Sequence, residues 1–338
     1  MNSNEIAALA HVSRSTVSRV VNHYSNVPEE TRRKVQEIID RYGYTPSTSA
    51  RTLAGKSNDI IGVFLADINH ADGGGSWVGM DSPYNTKLLA EIIKSCKRRG
   101  YMVLVNTITE DDDCRNLEQH FRNRLLFGGI FVGFPYHMKS LEEIARKEYN
   151  IAFIDQWSEE EKIFQSTKNV NCNDRDGARQ AVRYLIQHGH REIAFLQGDH
   201  RLSAMARLQG YKDAMHTAGI TIQESLLLRG EYREDIAYRS VKKMLETQRP
   251  TALFAANDIM ALGASKAIRE AGLQIPEDIS LVGYDNLQYM EWLDLHLTTM
   301  KVSMEELAEN AVNLLFTEKK YYCCKAQLVQ RNSVAQVK

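Results

Sequence analysis

Apolar residues follow two rhythms along this chain, and the change falls near residue 58. Before it, apolar positions recur every three or four residues among polar ones, the spacing of amphipathic helices. Between Glu5 and Asn22 the pattern predicts two short helices and a tight turn. Ile6 and Leu9 give the first an apolar stripe, with Ala7, Ala8 and Ala10 as helix formers. His11 and Val12 make the turn, and Ser13 is placed to cap the second helix through its hydroxyl. That helix turns Val17, Val20 and Val21 to one side and Arg14, Ser15, Ser18, Arg19 and Asn22 to the other. A third helix starts near Pro28, carries Glu29 and Glu30 in its first turn, buries Val35, Ile38, Ile39 and Tyr42, and stops at Gly43. A short, polar, basic helix face held across another helix can enter a major groove and read base edges. The alternative is a helical pair that packs against another part of the protein.

After residue 58 the texture changes. IIGVFLA at 60–66 is a short apolar run, as expected of a strand covered on both faces. Similar runs recur at 101–106, 128–134, 151–155, 192–198, 251–257 and 279–285, separated by amphipathic helices such as Asn85–Arg99 and Asp174–His188. This alternation predicts parallel sheets with helices on both faces. About nine such units are too many for one sheet, so the expected fold is α/β, with two similar doubly wound subdomains behind a three-helix head.

Composition narrows the function. The chain has 338 residues, 43% of them hydrophobic, enough for two or three domains. No apolar run reaches the roughly 18–20 residues needed to span a bilayer. The first ten residues carry Glu5 and no basic cluster, so no secretory signal is expected, and a cytoplasmic location follows. Five cysteines are scattered without CxxC or zinc-ligand spacing, which reads as free thiols. Net charge is −1, but residues 1–56 hold eight Lys/Arg against five Asp/Glu. A modestly basic head on an acidic body suits a DNA module fused to something else. AGKS at 54–57 is no phosphate loop, because Ala50 stands where the first glycine is required. Asp111–Asp112–Asp113 reads as a helix start, not a metal site, and no catalytic triad or metalloprotease motif is present. No metal, cofactor or catalytic residue is expected.

VSRSTVSRVVN at 12–22, VPEETRRKVQEIIDRYGYTP at 27–46 and ARTLAGKS at 50–57 closely resemble the lactose/galactose-repressor family of bacterial transcription regulators. They cover nearly all of the first 57 residues in the family's order. The resemblance implies a repressor that binds a pseudo-palindromic double-stranded operator as a homodimer. It assigns DNA contacts to Ser13, Arg14, Ser15, Thr16, Arg19 and Asn22. It also implies a hinge helix at 45–57, in which Ala50, Arg51 and Leu53 are in pattern and Leu53 wedges between base steps. Without the head, 44–57 would read as a flexible linker. Two departures stand out: His11 replaces a glycine in the turn, and Ser47 replaces an asparagine. The implied division is a head at 1–44, the hinge, and a core at 58–338. Within the core, one subdomain takes 58–171 and 302–324 and the other 172–301 and 325–338, with crossings near Cys172, Met300 and Lys325.

Sheets of this kind bind ligands beyond the carboxyl ends of their strands. Asp155, Asn257, Asp258 and Asp285 sit at such ends, and Arg207 lies early in a following helix. Singly, each is as readily a helix cap. The resemblance places Asp155, Arg207, Asn257 and Asp285 at the effector site, with Arg201 and Tyr232 matching less closely. Together they suit a sugar or sugar derivative. Asp155 and Asp285 point to a neutral sugar, while Arg201 and Arg207 point to an anionic one. The stretch from Asp67 to Tyr84 is longer than in the family, and reads either as a lid bringing Trp77 or Tyr84 to the ligand or as a surface insertion. A sugar-uptake protein or a sugar-processing enzyme on the same core would leave residues 5–57 unexplained.

Overall fold

The structure is a computed structural model. It describes residues 1–21, 24–44, 59–66, 81–109, 113–134, 138–156, 162–288 and 296–337. The chain divides into two units, Met1–Asn58 and Asp59–Lys338.

The first unit holds α1 (Ser3–Ala10), α2 (Arg14–Val21) and α3 (Glu29–Tyr42). Asn2 and Glu5 close a capping box at the start of α1, satisfying amides that the first turn leaves free. His11 ends α1 with a φ of 53°, so the histidine adopts the left-handed conformation that a glycine would take more easily. Ser13 Oγ accepts from Thr16 N at 3.1 Å, as a cap should. The buried core is Ile6, Ala7, Ala10, Val17, Val20, Val27 and Val35. Leu9, expected in the stripe of α1, is 43% exposed, and Tyr42 of α3 is 48% exposed. The small Ala7 and Ala10 let the helices meet on a face rotated away from Leu9. Ile38, Ile39 and Tyr44 only half cover that core. Gly43 caps α3 at a φ of 59°. Arg32 is not a free surface charge: its guanidinium donates to Tyr24 O at 2.6 Å and ties the α2–α3 loop to α3.

In the second unit, the chain first lays down β1 (Ile60–Ala66), α4 (Pro83–Arg98), β2 (Met102–Ile108) and α5 (Asp113–Arg122). It continues through β3 (Gly128–Val132), α6 (Lys139–Ala145), β4 (Ile151–Ile154), α7 (Lys162–Gln165) and β5 (Lys168–Cys172). It then crosses to a second sheet. There it forms α8 (Asp174–Gln187), β6 (Ile193–Gln197), α9 (Leu202–Thr217), β7 (Leu227–Arg229) and α10 (Glu234–Leu245). β8 (Ala252–Ala255), α11 (Asp258–Glu270), β9 (Ser280–Asp285) and β10 (Thr298–Lys301) follow. α12 (Met304–Leu314) leads back to β11 (Tyr321–Cys324) in the first sheet, and β12 (Gln327–Val329) returns to the second.

The two sheets share one winding: β11-β5-β4-β3-β1-β2 and β12-β10-β9-β8-β6-β7. All neighbours are parallel except β12, which runs antiparallel to β10. The sequence reads this way because strands buried on both faces need apolar residues at every position; β1, β3, β4, β8 and β9 carry almost nothing else. On one face of the first sheet Phe64, Phe131 and Phe153 stand in register on adjacent strands, with ring centroids 4.9 and 5.1 Å apart. β2 differs: it is a sheet edge, with Met102 63%, Leu104 36% and Val105 37% exposed. Among the described residues no helix is long and apolar enough to cross a membrane. The winding order reverses between β1 and β3, and again between β6 and β8. Ligands settle beyond the carboxyl ends of strands at such reversals.

Candidate functional site

A polar cleft lies beyond those strand ends. Each wall comes from the residues that follow a strand. Gly133 and Phe134 follow β3, Asp155 and Gln156 follow β4, Arg201 and Ser203 follow β6, Glu231 and Tyr232 follow β7, and Asn257 follows β8. Asp285 ends β9, and Ser82, Tyr84 and Asn85 enter from the start of α4. The structure therefore brings all six sequence-singled residues, Asp155, Arg201, Arg207, Tyr232, Asn257 and Asp285, to one cleft. Of the 67–84 stretch, Tyr84, in the first turn of α4, lines the cleft, while Trp77 lies outside the described residues.

The backbone is strained where it meets the cleft. Asp155, Glu231, Tyr232 and Asp285 have φ values of 61°, 54°, 57° and 104°, in a region that non-glycine residues avoid. Such strain persists only where surrounding structure holds it, and it gathers at ligand sites. Gly198 admits one of these residues: a Cβ there would lie 2.5 Å from the Tyr232 ring.

Electrostatics centre on Arg207. Its side chain is 6% exposed, and Nε donates to Asp174 Oδ1 at 2.7 Å. Nη1 donates to the Ala256 carbonyl and lies 3.5 Å from Asp285 Oδ1. The guanidinium also sits 3.8 Å above the Tyr284 ring. Most of this fork is committed to the protein. Burial opposes its charge, but Asp174 chief among its neighbours holds its pKa above the usual arginine range. Burial pushes Asp155 up to about 7, with Asp174 adding to the shift and Arg207 opposing it. Burial also raises Asp285 well above the carboxylate range, against the pull of Arg207. Asp285 Oδ1 and Gln156 Oε1 are buried without a hydrogen-bond donor. Each is an acceptor waiting for one, since buried polar atoms are nearly always paired.

Asn257 acts both as cap and as cleft residue. Its side-chain oxygen accepts from Met260 N at 2.8 Å, which leaves its NH2 to face a ligand. Asp258 is purely structural: its carboxylate accepts from Thr299 Oγ1 at 2.7 Å and Leu287 N at 2.8 Å, fixing the turn behind Asp285. Sequence reasoning missed Asp174, Gln156 and Glu231. Gln156 and Glu231 adjoin residues already singled out. Asp174 carried no signal, because an acid in a helix's first turn is ordinary.

In the head, Ser13, Arg14, Ser15 and Arg19 are exposed and Thr16 half-buried, opposite the buried Val17 and Val20. The Ser13 hydroxyl lies 2.7 Å from that of Ser15 and 2.9 Å from that of Thr16. Among the described residues neither Arg14 nor Arg19 has an ion-pair partner. Asn22, Ala50, Arg51 and Leu53 lie outside the described residues.

A helix-turn-helix head followed by a two-sheet core with a polar cleft defines a class: DNA-binding proteins that carry a small-molecule site. Residues 4–47 match the model of bacterial regulatory proteins of the lacI family, and 182–321 that of the periplasmic binding protein-like domain. The HTH-type transcriptional repressor PurR of Histophilus somni (strain 129Pt) is 31% identical over 315 residues, 92% of this chain and 90% of that protein. The lac repressor dimer bound to operator and the anti-inducer ONPF superposes with a TM-score of 0.81, at 28% identity over 98% of both chains. The CelR regulator in its cellobiose complex shares the fold, with a TM-score of 0.73 and 24% identity over 98% of this chain and 99% of that one. The chain belongs to the lacI family of bacterial regulatory proteins. It is a DNA-binding transcription regulator, not an enzyme.

Proposed function

We propose that the chain is a repressor that binds a pseudo-palindromic operator as a homodimer, in the cytoplasm, and that a carbohydrate in the core cleft sets its operator affinity. Its working parts are the head at 1–44, the hinge at 45–57 and the core at 58–338. Ser13, Arg14, Ser15, Thr16, Arg19 and Asn22 meet bases and phosphates from α2 and its flanks, and Ala50, Arg51 and Leu53 act from the hinge. Asp155, Arg201, Arg207, Tyr232, Asn257 and Asp285 meet the effector. The observation that carries this reading is one cleft whose walls come from both sheets. A ligand gripping both walls favours one relative orientation of the sheets, and operator affinity shifts by its differential affinity for the two states.

Operator selection from a randomised duplex pool, followed by titration with and without a sugar panel, tests this. A selected two-fold symmetric site, lost in Arg14→Ala and tuned by one sugar, is expected. Sugar binding that leaves operator affinity unchanged would overturn the coupling.

A further inference from the structure

The two cleft arginines leave the charge of the ligand open in the sequence, and their partners close it. Arg207 is spent on Asp174 and Asp285. Arg201 holds Asp199 through Nε at 3.0 Å and lies over the Tyr232 ring at 5.4 Å. Each cation already has a carboxylate partner. The acids are in the opposite condition. Among the described residues Asp155 accepts one backbone amide, Cys172 N at 3.3 Å. Asp285 Oδ1 and Gln156 Oε1 accept no hydrogen bond. Asp155, Gln156 and Asp285 line the cleft from two sheets, and their side-chain oxygens are short of donors. A phosphate or carboxylate group brings none, and its charge would be desolvated in a low-dielectric site beside two acids that burial already holds above the usual carboxylate range.

We infer that the cleft takes an uncharged, donor-rich polyhydroxyl ligand and rejects the phosphorylated or carboxylated form of the same sugar. The inference rests on the carbohydrate reading above and narrows it. Hydroxyls donate to Asp155, Asp285 and Gln156, while the Asn257 NH2 serves ligand oxygens. The arginines hold the acids and the Tyr232 ring in place.

The test is calorimetric titration of the full chain with neutral mono- and disaccharides, each beside its 6-phosphate and its uronic acid. Inorganic phosphate and citrate are titrated alone as a separate arm. A neutral sugar should bind at least about 100-fold more tightly than its anionic counterpart, the order expected when like charges meet in a desolvated site. Asp199→Asn keeps an oxygen for the Arg201 amide that Asp199 now accepts at 3.0 Å, and removes the carboxylate paired with the guanidinium. The ratio of anionic to neutral affinity should rise by roughly tenfold in that variant. A sugar phosphate or sugar acid that binds as tightly as its neutral parent overturns the inference. If no sugar of either form binds, the carbohydrate reading falls. The phosphate and citrate arm then still decides the charge of the site: binding of either overturns anion rejection, and its absence upholds it.

Discussion

Arg207→Ala is the most informative single change, because Arg207 holds two buried acids at once. Its side chain and those of Asp174 and Asp285 are 6%, 4% and 4% exposed. Removing one member of a buried ion pair typically costs about 3–5 kcal/mol, since the other member stays charged and desolvated. In a domain of 150–250 residues each kcal/mol moves Tm by about 2–4 °C. A fall of roughly 6–20 °C is therefore expected for the core transition. The pH dependence adds a check of sign. Arg207 pulls the pKa of Asp285 down against burial, so its loss raises that pKa further. A carboxyl with a raised folded-state pKa loses stability as pH rises through that value, and is relieved when protonated below it. The penalty of Arg207→Ala should thus be smaller at pH 5.5 than at pH 7.5. Scanning calorimetry of the full chain at both values reads this directly. A Tm change below 2 °C with complete loss of ligand binding would refute the reasoning, and make Arg207 a ligand contact alone. A larger penalty at pH 5.5 would refute it too.

Asp155, held near 7 by burial, should make ligand affinity fall as pH drops from 8 to 6, because hydroxyls donate best to the ionised carboxylate; calorimetry with Asp155→Asn should remove the slope. Leu53→Ala should weaken operator binding in gel-shift titrations far more than it weakens the ligand-induced rise in Tm; equal loss of both would contradict the separate roles of hinge and core. The exposed Met102, Leu104 and Val105 on the edge strand β2, with Ile93 at 40% on α4, form an apolar edge of the kind that folded chains cover. Leu104→Lys should shift the chain toward monomer in sedimentation velocity and weaken operator binding with it.

The parallel α/β class was legible because its central strands are nearly unbroken apolar runs, and six cleft residues could be named because the resemblance to the lactose/galactose-repressor family assigns them; a place at a strand end marks Asp155, Asn257 and Asp285 no more strongly than a helix cap does. What was hidden depends on partners far along the chain. Nothing in NCNDRDGARQ distinguishes Asp174, which meets Arg207 33 positions later. The commitments of Arg207 are equally hidden, because sequence lists side chains and not what they already hold. YMVLVN reads like an interior strand, yet it forms an edge, since hydrophobicity does not say whether a strand has a second neighbour. In the head, Leu9 looked more buried than Ala7 and Ala10. The close approach of helices favoured the smaller residues.

The interleaving of the two sheets also bears on how the chain is made. β11 closes the edge of the first sheet beside β5, in register from Tyr321 to Cys324, about 150 residues after β5 has been synthesised. While the nascent chain emerges, that first sheet waits beside a growing second one with β5 unpaired on one side. The second sheet in turn waits for β12, only a few residues later. The core therefore cannot finish either half early, and both are completed almost together once β11 and β12 have emerged. The head has every residue of its own core by Val35, and is free to fold long before. A truncated product of stalled synthesis would present a finished DNA-reading surface on an unfinished body. Such a fragment could occupy DNA without answering to any ligand.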